Sequence, residues 1–275
     1  MSRVVTFRAC ADTFERTAIE ADSLDVASSH IPDGAYTVFP VFEGWQVVRL
    51  GRHLERLYCS AELLGEPLVV SEAWLRAMLR RAVESAGLET QRVCLIVPFE
   101  APDTAYISIE PYTPPDESLY REGVRAATVG LQRSLPRAKN SQFISERRVL
   151  LKSLPPGVRE GLLCSREGEI LEGTSSNFYA VLDGKLRTAG QGVLDGVARG
   201  ILLEVAPEVL PVRLEPVRLD DLDAIDEAMI SSSSRGVVPI VEIDGHPVGD
   251  GRPGRVFKVL RVRYNTRSQA EMEVL

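Results

Sequence analysis

The segment YTPPDESLYREG, residues 112–123, divides the chain. Its prolines, charges and closing glycine favour an exposed connection over a packed element. Before it, helix-like and strand-like runs are mixed. After it, strand-like runs dominate, with short helices interspersed. A chain of 275 residues is long enough for two units with separate cores. The division predicts an α+β protein with a small domain over 1–115, a linker over 116–123 and a larger domain over 124–275.

Local patterns fill in this outline. MSRVVTFRACADTF, at the start, reads as a strand and not as a signal peptide. YTVFPVFEGWQVVRL (36–50) reads as a hairpin turning near Glu43-Gly44. In GRHLERLYCSAELLG, Leu54, Leu57, Tyr58, Ala61 and Leu64 share one helical face, and Gly65 is a natural stop. Ser71 can N-cap a second helix, whose apolar stripe runs through Trp74, Leu75, Met78, Leu79, Ala82 and Val83 to Gly87. RVCLIVPF and AYISIEPY read as strands. Further on, EGLLCS and EILEG flank a turn, and FYAVL-DG-KLRT is a clearer hairpin because Asp-Gly favours a tight primed turn. Residues 196–206 and 254–266 read as helices, and VVPIVEIDG as a strand ending in a turn.

Composition excludes several classes. A formal charge of −7 argues against a protein that coats nucleic acid. No apolar run is long enough to span a membrane. Cys10, Cys59, Cys94 and Cys164 are scattered without a CxxC pair, as expected of reduced thiols in a cytoplasmic protein. The three histidines, His30, His53 and His246, have no i, i+3 or i, i+4 partner, so neither a histidine metal site nor a Ser-His-Asp hydrolase is expected. GTSSN is not the GxSxG nucleophile elbow.

Five modest signals remain. Of 32 basic residues only Lys139, Lys152, Lys185 and Lys258 are lysines. Most lysines are simply solvated, but an amine can lose its proton and attack a carbonyl, which a guanidinium cannot. Lys139 lies in SLPRAKNSQF, after a Leu-Pro break and before a helix-like run. GQGVLDGVARGILLEV puts a glycine-rich loop before a helix, where free N–H groups suit a phosphate, although the spacing is not the dinucleotide GxGxxG. The SSSS run at 231–234 either ligates an anion or solvates a turn. Arg56 is a surface charge or a phosphate clamp, and Glu172 a structural or a functional acid. An amine, phosphate donors from three places and a carboxylate are together what pyridoxal phosphate requires.

At this point the sequence resembles the class IV aminotransferases, the fold-type IV pyridoxal-phosphate enzymes that include branched-chain and D-amino-acid aminotransferases and aminodeoxychorismate lyase. The resemblance is carried, in order, by DGAYTV (33–38), HLERLYCSAELLG (53–65), AKNSQF (138–143), EILEGTSSNFYAVLDGKLRT (169–188), VLDGVARGILLEVA (193–206) and DEAMISSSSRGVVPIVEIDG (226–245). It implies a two-domain D-amino-acid-aminotransferase-like fold, with a small α/β sandwich domain and a larger strand-rich pseudo-barrel domain. It also implies a homodimer, with an active site between the domains closed by loops of the neighbouring subunit. Lys139 would be the Schiff-base lysine and proton shuttle. Glu172 would pair with the pyridine nitrogen and Arg56 would clamp the phosphate. Val197 and Ala198 would bind it through backbone N–H groups, with Ser232 and Ser233 as further donors. Leu194 would pack on the ring. Tyr36, Ser233 and Ser234 would meet the substrate.

The expected function is transfer of an amino group between an amino acid or amine and a 2-oxo acid by a ping-pong mechanism. Pyruvate elimination of the aminodeoxychorismate lyase type is the alternative on the same scaffold, and a non-catalytic binding module is the alternative outside it. Thr37 replaces the acid usual after the tyrosine, and Ala198 replaces a common threonine. The strand RVCLIVPFEAPDTAY lacks both the TRG-like ending and the Arg-x-His pair of relatives. These departures fall where substrate is chosen, so the donor and its chirality stay open.

Overall fold

The computed structural model describes residues 4–275. It falls into two compact units that are not contiguous in sequence: 1–113 with 137–148 and 271–275, and 114–136 with 149–270. The expected N-terminal strand is β1 (Val5–Cys10), returning as β2 (Thr13–Arg16); residues 1–3 lie outside the described residues.

The first unit continues with α1 (Leu24–Ser28), β3 (Gly34–Val41), β4 (Gln46–Val48), α2 (Leu50–Leu63), α3 (Glu72–Ala86), β5 (Gln91–Pro98) and β6 (Thr104–Pro111). Its five-stranded sheet has the order β2-β1-β6-β5-β3, antiparallel throughout. Strand alternation turns Phe39, Val93, Leu95 and Ile107 onto one face. There they bury Leu54, Leu57 and Ala61 of α2 and Leu75, Leu79 and Ala82 of α3. Each fully buried leucine contributes about 1.5–3 kcal/mol, so this stripe, not helix propensity, holds α2 in place. As the sequence suggests, Ser71 caps α3, accepting from the Trp74 N–H at 3.2 Å, and Gly87 ends it in the left-handed region. The opposite face of the sheet carries Tyr36, Cys94 and Ile96 against Leu24 and Ala27 of α1.

The second unit opens with α4 (Glu117–Glu122), so the middle of the proline-rich segment is helical, N-capped by Asp116. Then come β7 (Val124–Val129) and α5 (Gln142–Ser153), the latter starting in the returning part of the first unit. The remaining elements are β8 (Val158–Cys164), β9 (Glu169–Gly173), β10 (Asn177–Leu182), β11 (Lys185–Arg187), α6 (Val197–Val205), β12 (Val212–Arg213), β13 (Val217–Arg218), β14 (Glu227–Ser232), β15 (Gly236–Ile243), β16 (His246–Pro247) and α7 (Arg255–Ala270). Asp183 and Gly184 make the primed turn with φ of 52° and 66°.

The central strands run β10-β14-β15-β7-β8-β9, and β9 pairs back onto β10 through Glu172 and Asn177. The sheet is therefore a closed barrel, which removes its inner edges. Ala126, Leu162, Ile170, Phe178, Ile230 and Val238 fill it. The pairs β7–β8 and β7–β15 are parallel, and the other barrel pairs are antiparallel. The last strand, β17 (Met272–Val274), belongs to the first unit and pairs with β4. Its Glu273 accepts from the Gly51 N–H at 3.0 Å, capping α2, which has no side-chain cap of its own.

Candidate active site

In the first unit, residues 139–141 run beside the start of β3. The Tyr36 N–H donates to the Lys139 carbonyl at 3.0 Å, and the Ser141 N–H to the Gly34 carbonyl at 2.9 Å. Lys139 is thereby fixed at its backbone. Its Nζ lies 4.5 Å from the centroid of the Tyr36 ring, a cation–π contact with a buried tyrosine. A second anchor comes from α2. The Ser60 hydroxyl donates to the Arg56 carbonyl at 2.7 Å and accepts from the Lys139 N–H at 3.0 Å.

Thr37 follows Tyr36 on β3 and therefore points to the other face. Its Oγ1 accepts from Arg56 Nη2 at 3.2 Å and lies 2.9 Å from His53 Nδ1. With Arg56 donating, the Thr37 hydroxyl proton is available to His53 Nδ1, an arrangement that goes with the ring proton on Nε2. Burial, then the charges of Arg56 and Lys139, hold His53 well below its ordinary pKa, so it is neutral. His53, Arg56 and Ser60 fall on one side of α2, as their spacing requires.

In the second unit, Glu172 is 3% exposed at the closure of the barrel. Arg133 Nη1 donates to its Oε1 at 3.1 Å, and the Leu194 N–H to its Oε2 at 3.0 Å. Asn177 Nδ2 donates to the Leu194 carbonyl at 2.8 Å. The loop before α6 is thus held at both polar backbone atoms of Leu194. Gly196 is required there, because a Cβ would meet Asn177 Oδ1 at 2.2 Å. Gly196 is also the N-cap of α6 and offers no side-chain cap, so the buried Val197 and Ala198 begin the helix without one.

Ser232, Ser233 and Ser234 lie at the connection from β14 to β15, where all three are half-buried. Ser231, one residue earlier, is buried, with its hydroxyl 2.9 Å from that of Tyr179. Burial pushes the Tyr179 phenol up, so it stays protonated.

Of the residues singled out from sequence, Tyr36, Arg56 and Lys139 thus share the first unit, and Glu172, Leu194, Val197, Ala198, Ser232, Ser233 and Ser234 the second. Sequence reasoning missed Ser60, Asn177 and Arg133 and noted Thr37 only as a departure. His53 and Ser60 had a signal, one helical turn either side of Arg56. Arg133 had none, since its partner is far along the chain. Among the described residues no group of His, Cys, Asp and Glu side chains could hold a metal ion, and no helix is long and apolar enough to cross a membrane.

Residues 34–243 match the family model for class IV amino-transferases. The chain belongs to the class IV aminotransferase family. It is 27% identical over 264 residues to a putative branched-chain-amino-acid aminotransferase of Methanocaldococcus jannaschii, covering 84% of this chain and 86% of that one. It is 30% identical over 240 residues to a D-alanine aminotransferase of Bacillus licheniformis, covering 82% and 84%. Its fold superposes on a branched-chain amino acid aminotransferase solved with pyridoxamine 5'-phosphate, with a TM-score of 0.81 at 20% identity and 97% coverage of each chain. The Escherichia coli branched-chain amino acid aminotransferase gives 0.78 at 22% identity, covering 98% and 96%. The sheet domain and barrel domain of this class IV aminotransferase are those expected of the family.

Class IV aminotransferases depend on pyridoxal phosphate. The donor set here fits that group. An uncapped, buried helix N-terminus suits its phosphate. A cation pair around a neutral histidine suits an anion. A buried carboxylate with a fixed orientation suits a ring nitrogen.

Proposed function

We propose that the protein binds pyridoxal phosphate and moves an amino group between an amino acid, or an amine, and a 2-oxo acid, with ping-pong kinetics. The observation that carries this reading is Glu172: a buried carboxylate oriented by one guanidinium and one backbone N–H, on the strand whose acid grips the loop leading to an uncapped helix N-terminus. When bound, the cofactor supplies an aldehyde for the amino group and a protonated ring that draws electrons from the substrate Cα.

The chain's own residues do the rest. Glu172 holds the ring nitrogen protonated. Val197 and Ala198, with Ser232 and Ser233, bind the phosphate, and Arg56 adds a charged donor. Leu194, its backbone pinned by Glu172 and Asn177, packs on the ring face. The Lys139 amine would hold the cofactor in the resting enzyme and, once released, would move the proton between the substrate Cα and the cofactor's aldehyde carbon. Tyr36 supports that amine through its ring and lines the substrate pocket. Ser233 and Ser234 receive the substrate carboxylate. The family resemblance also supports a homodimer.

The test is the visible absorption spectrum of the purified protein with added pyridoxal phosphate, before and after a panel of L- and D-amino acids, beside Lys139→Ala. A visible band that bleaches with a donor and is absent from the variant is expected, together with a kcat loss of at least about a hundredfold in the variant. A protein that takes up no pyridoxal phosphate overturns the reading. Pyruvate release without an oxo-acid acceptor would move it to a lyase.

A further inference from the structure

The SSSSR run ends in an arginine that the reading above does not use. Arg235 closes the β14–β15 connection. Ser232 pairs with Gly236, the Arg235 N–H donates to the Ser232 carbonyl at 3.3 Å, and Gly236 takes a φ of 62°. This is a three-residue hairpin loop followed by a position that needs a left-handed backbone. An arginine at such a tip is ordinarily solvated.

Here it is tied down. Arg235 Nη2 donates to Glu160 Oε2 at 2.7 Å and to the Ser175 hydroxyl at 3.1 Å, and Nε donates to the Ser232 hydroxyl at 3.3 Å. The Tyr120 hydroxyl donates to the Arg235 carbonyl at 2.9 Å. Glu160, on β8, is 1% exposed. Its Oε1 accepts from the Thr174 hydroxyl at 2.5 Å and its Oε2 from the Ser176 hydroxyl at 3.1 Å. A Cβ on Gly173 would fall 3.1 Å from the Glu160 carboxyl carbon, so the loop after Glu172 closes directly over this acid.

Burying a carboxylate is costly, and a packed apolar pair would serve stability as well. What the ion pair adds is directional. It fastens the 174–176 loop, which follows Glu172, to the serine turn, which follows β14. Both are segments beside residues to which the proposed function assigns binding work. We propose that Glu160 and Arg235 are positioning residues that set the serine turn for the anionic groups of cofactor and substrate. The inference rests on the proposed function. Neither side chain is placed on the substrate; they act through the turn.

The experiment compares wild type with Arg235→Met, Arg235→Lys, Glu160→Gln and the double variant Glu160→Gln/Arg235→Met. It measures the Kd for pyridoxal phosphate by absorbance titration, KM and kcat for the best donor and its oxo-acid acceptor, and Tm. Arg235→Met is expected to raise the acceptor KM and the cofactor Kd by about tenfold or more, with kcat within about threefold. Arg235→Lys, which keeps one donor, recovers part of that loss. The double variant is no worse than Arg235→Met, because the two residues act as one unit. A Tm that falls while Kd and KM stay within about twofold of wild type overturns the inference and leaves the pair purely structural. So does a loss confined to kcat. A wild-type protein that takes up no pyridoxal phosphate overturns the proposed function, and the inference with it; uptake by all variants with wild-type affinity and KM overturns the inference alone.

Discussion

The two units hold their candidate site residues in different ways. In the first, the Arg56 guanidinium donates to the Thr37 hydroxyl beside a neutral His53, and the Ser60 hydroxyl holds the Lys139 backbone. In the second, Glu172 and Glu160 are each matched by an arginine. A hydroxyl orients a guanidinium without adding a charge of its own. Ion pairs cancel charge and leave direction, so the second unit offers an oriented carboxylate, backbone N–H groups and hydroxyls.

The sharpest way to break this contrast is at Glu172. Glu172→Ala strips the buried carboxylate from beside the half-buried Arg133 and is expected to lower stability by about 3 kcal/mol, measured by denaturant unfolding. Glu172→Gln keeps the shape, and its effect should appear in turnover, lowered about a hundredfold or more, with a smaller loss of stability. Equal stability losses in the two variants would show that the charge of Glu172 is unimportant to its setting.

Next in size is Thr37→Val, isosteric but without the shared oxygen. It removes a hydrogen bond to a charged donor and should weaken pyridoxal phosphate binding by about tenfold, read by titration, while the visible band of the saturated protein is kept. Unchanged affinity would mean that Arg56 needs no orientation from β3.

The smallest effect concerns pH. His53 is held neutral in the folded chain, whereas the unfolded chain binds a proton as pH falls through about 6.5. The folded pKa is therefore the lower one. The stability it supports is fully present above about 6.5 and declines as pH falls towards the folded value. Thermal melts at mildly acid and neutral pH should show a steeper acid loss in wild type than in His53→Asn, whose Oδ1 can still accept from Thr37. Parallel profiles would show that His53 is not the titrating group.

Local rules made part of this structure legible. Stop and cap residues bounded α2 and α3, and Asp183-Gly184 fixed one hairpin. Lys139, Arg56 and Glu172 stood out because their residue types carry chemistry. What escaped was nonlocal. β17, the three residues MEV, carries too short a pattern to read as a strand, and it pairs with β4 where Glu273 and the adjacent Glu271 meet Gly51, Arg76 and Arg49. Glu160 lies in an otherwise largely apolar strand whose partner is at the far end of another hairpin. Arg133 lies in a loop and finds Glu172 only after the barrel closes. No window of sequence contains both members of such a pair.

The barrel seam has a consequence for the order in which this chain can mature. Glu172 and Asn177, which complete the ring between β9 and β10, are near neighbours, and their turn can form as soon as that stretch leaves the ribosome. β7 can pair with β8 early, but its other edge must wait much longer, because Ile240 of β15 lies opposite Val124. Until then the ring is an open curl with bare edges. The turn at Glu172 is thus in hand early, while the serine turn at 232–234 is made well after it.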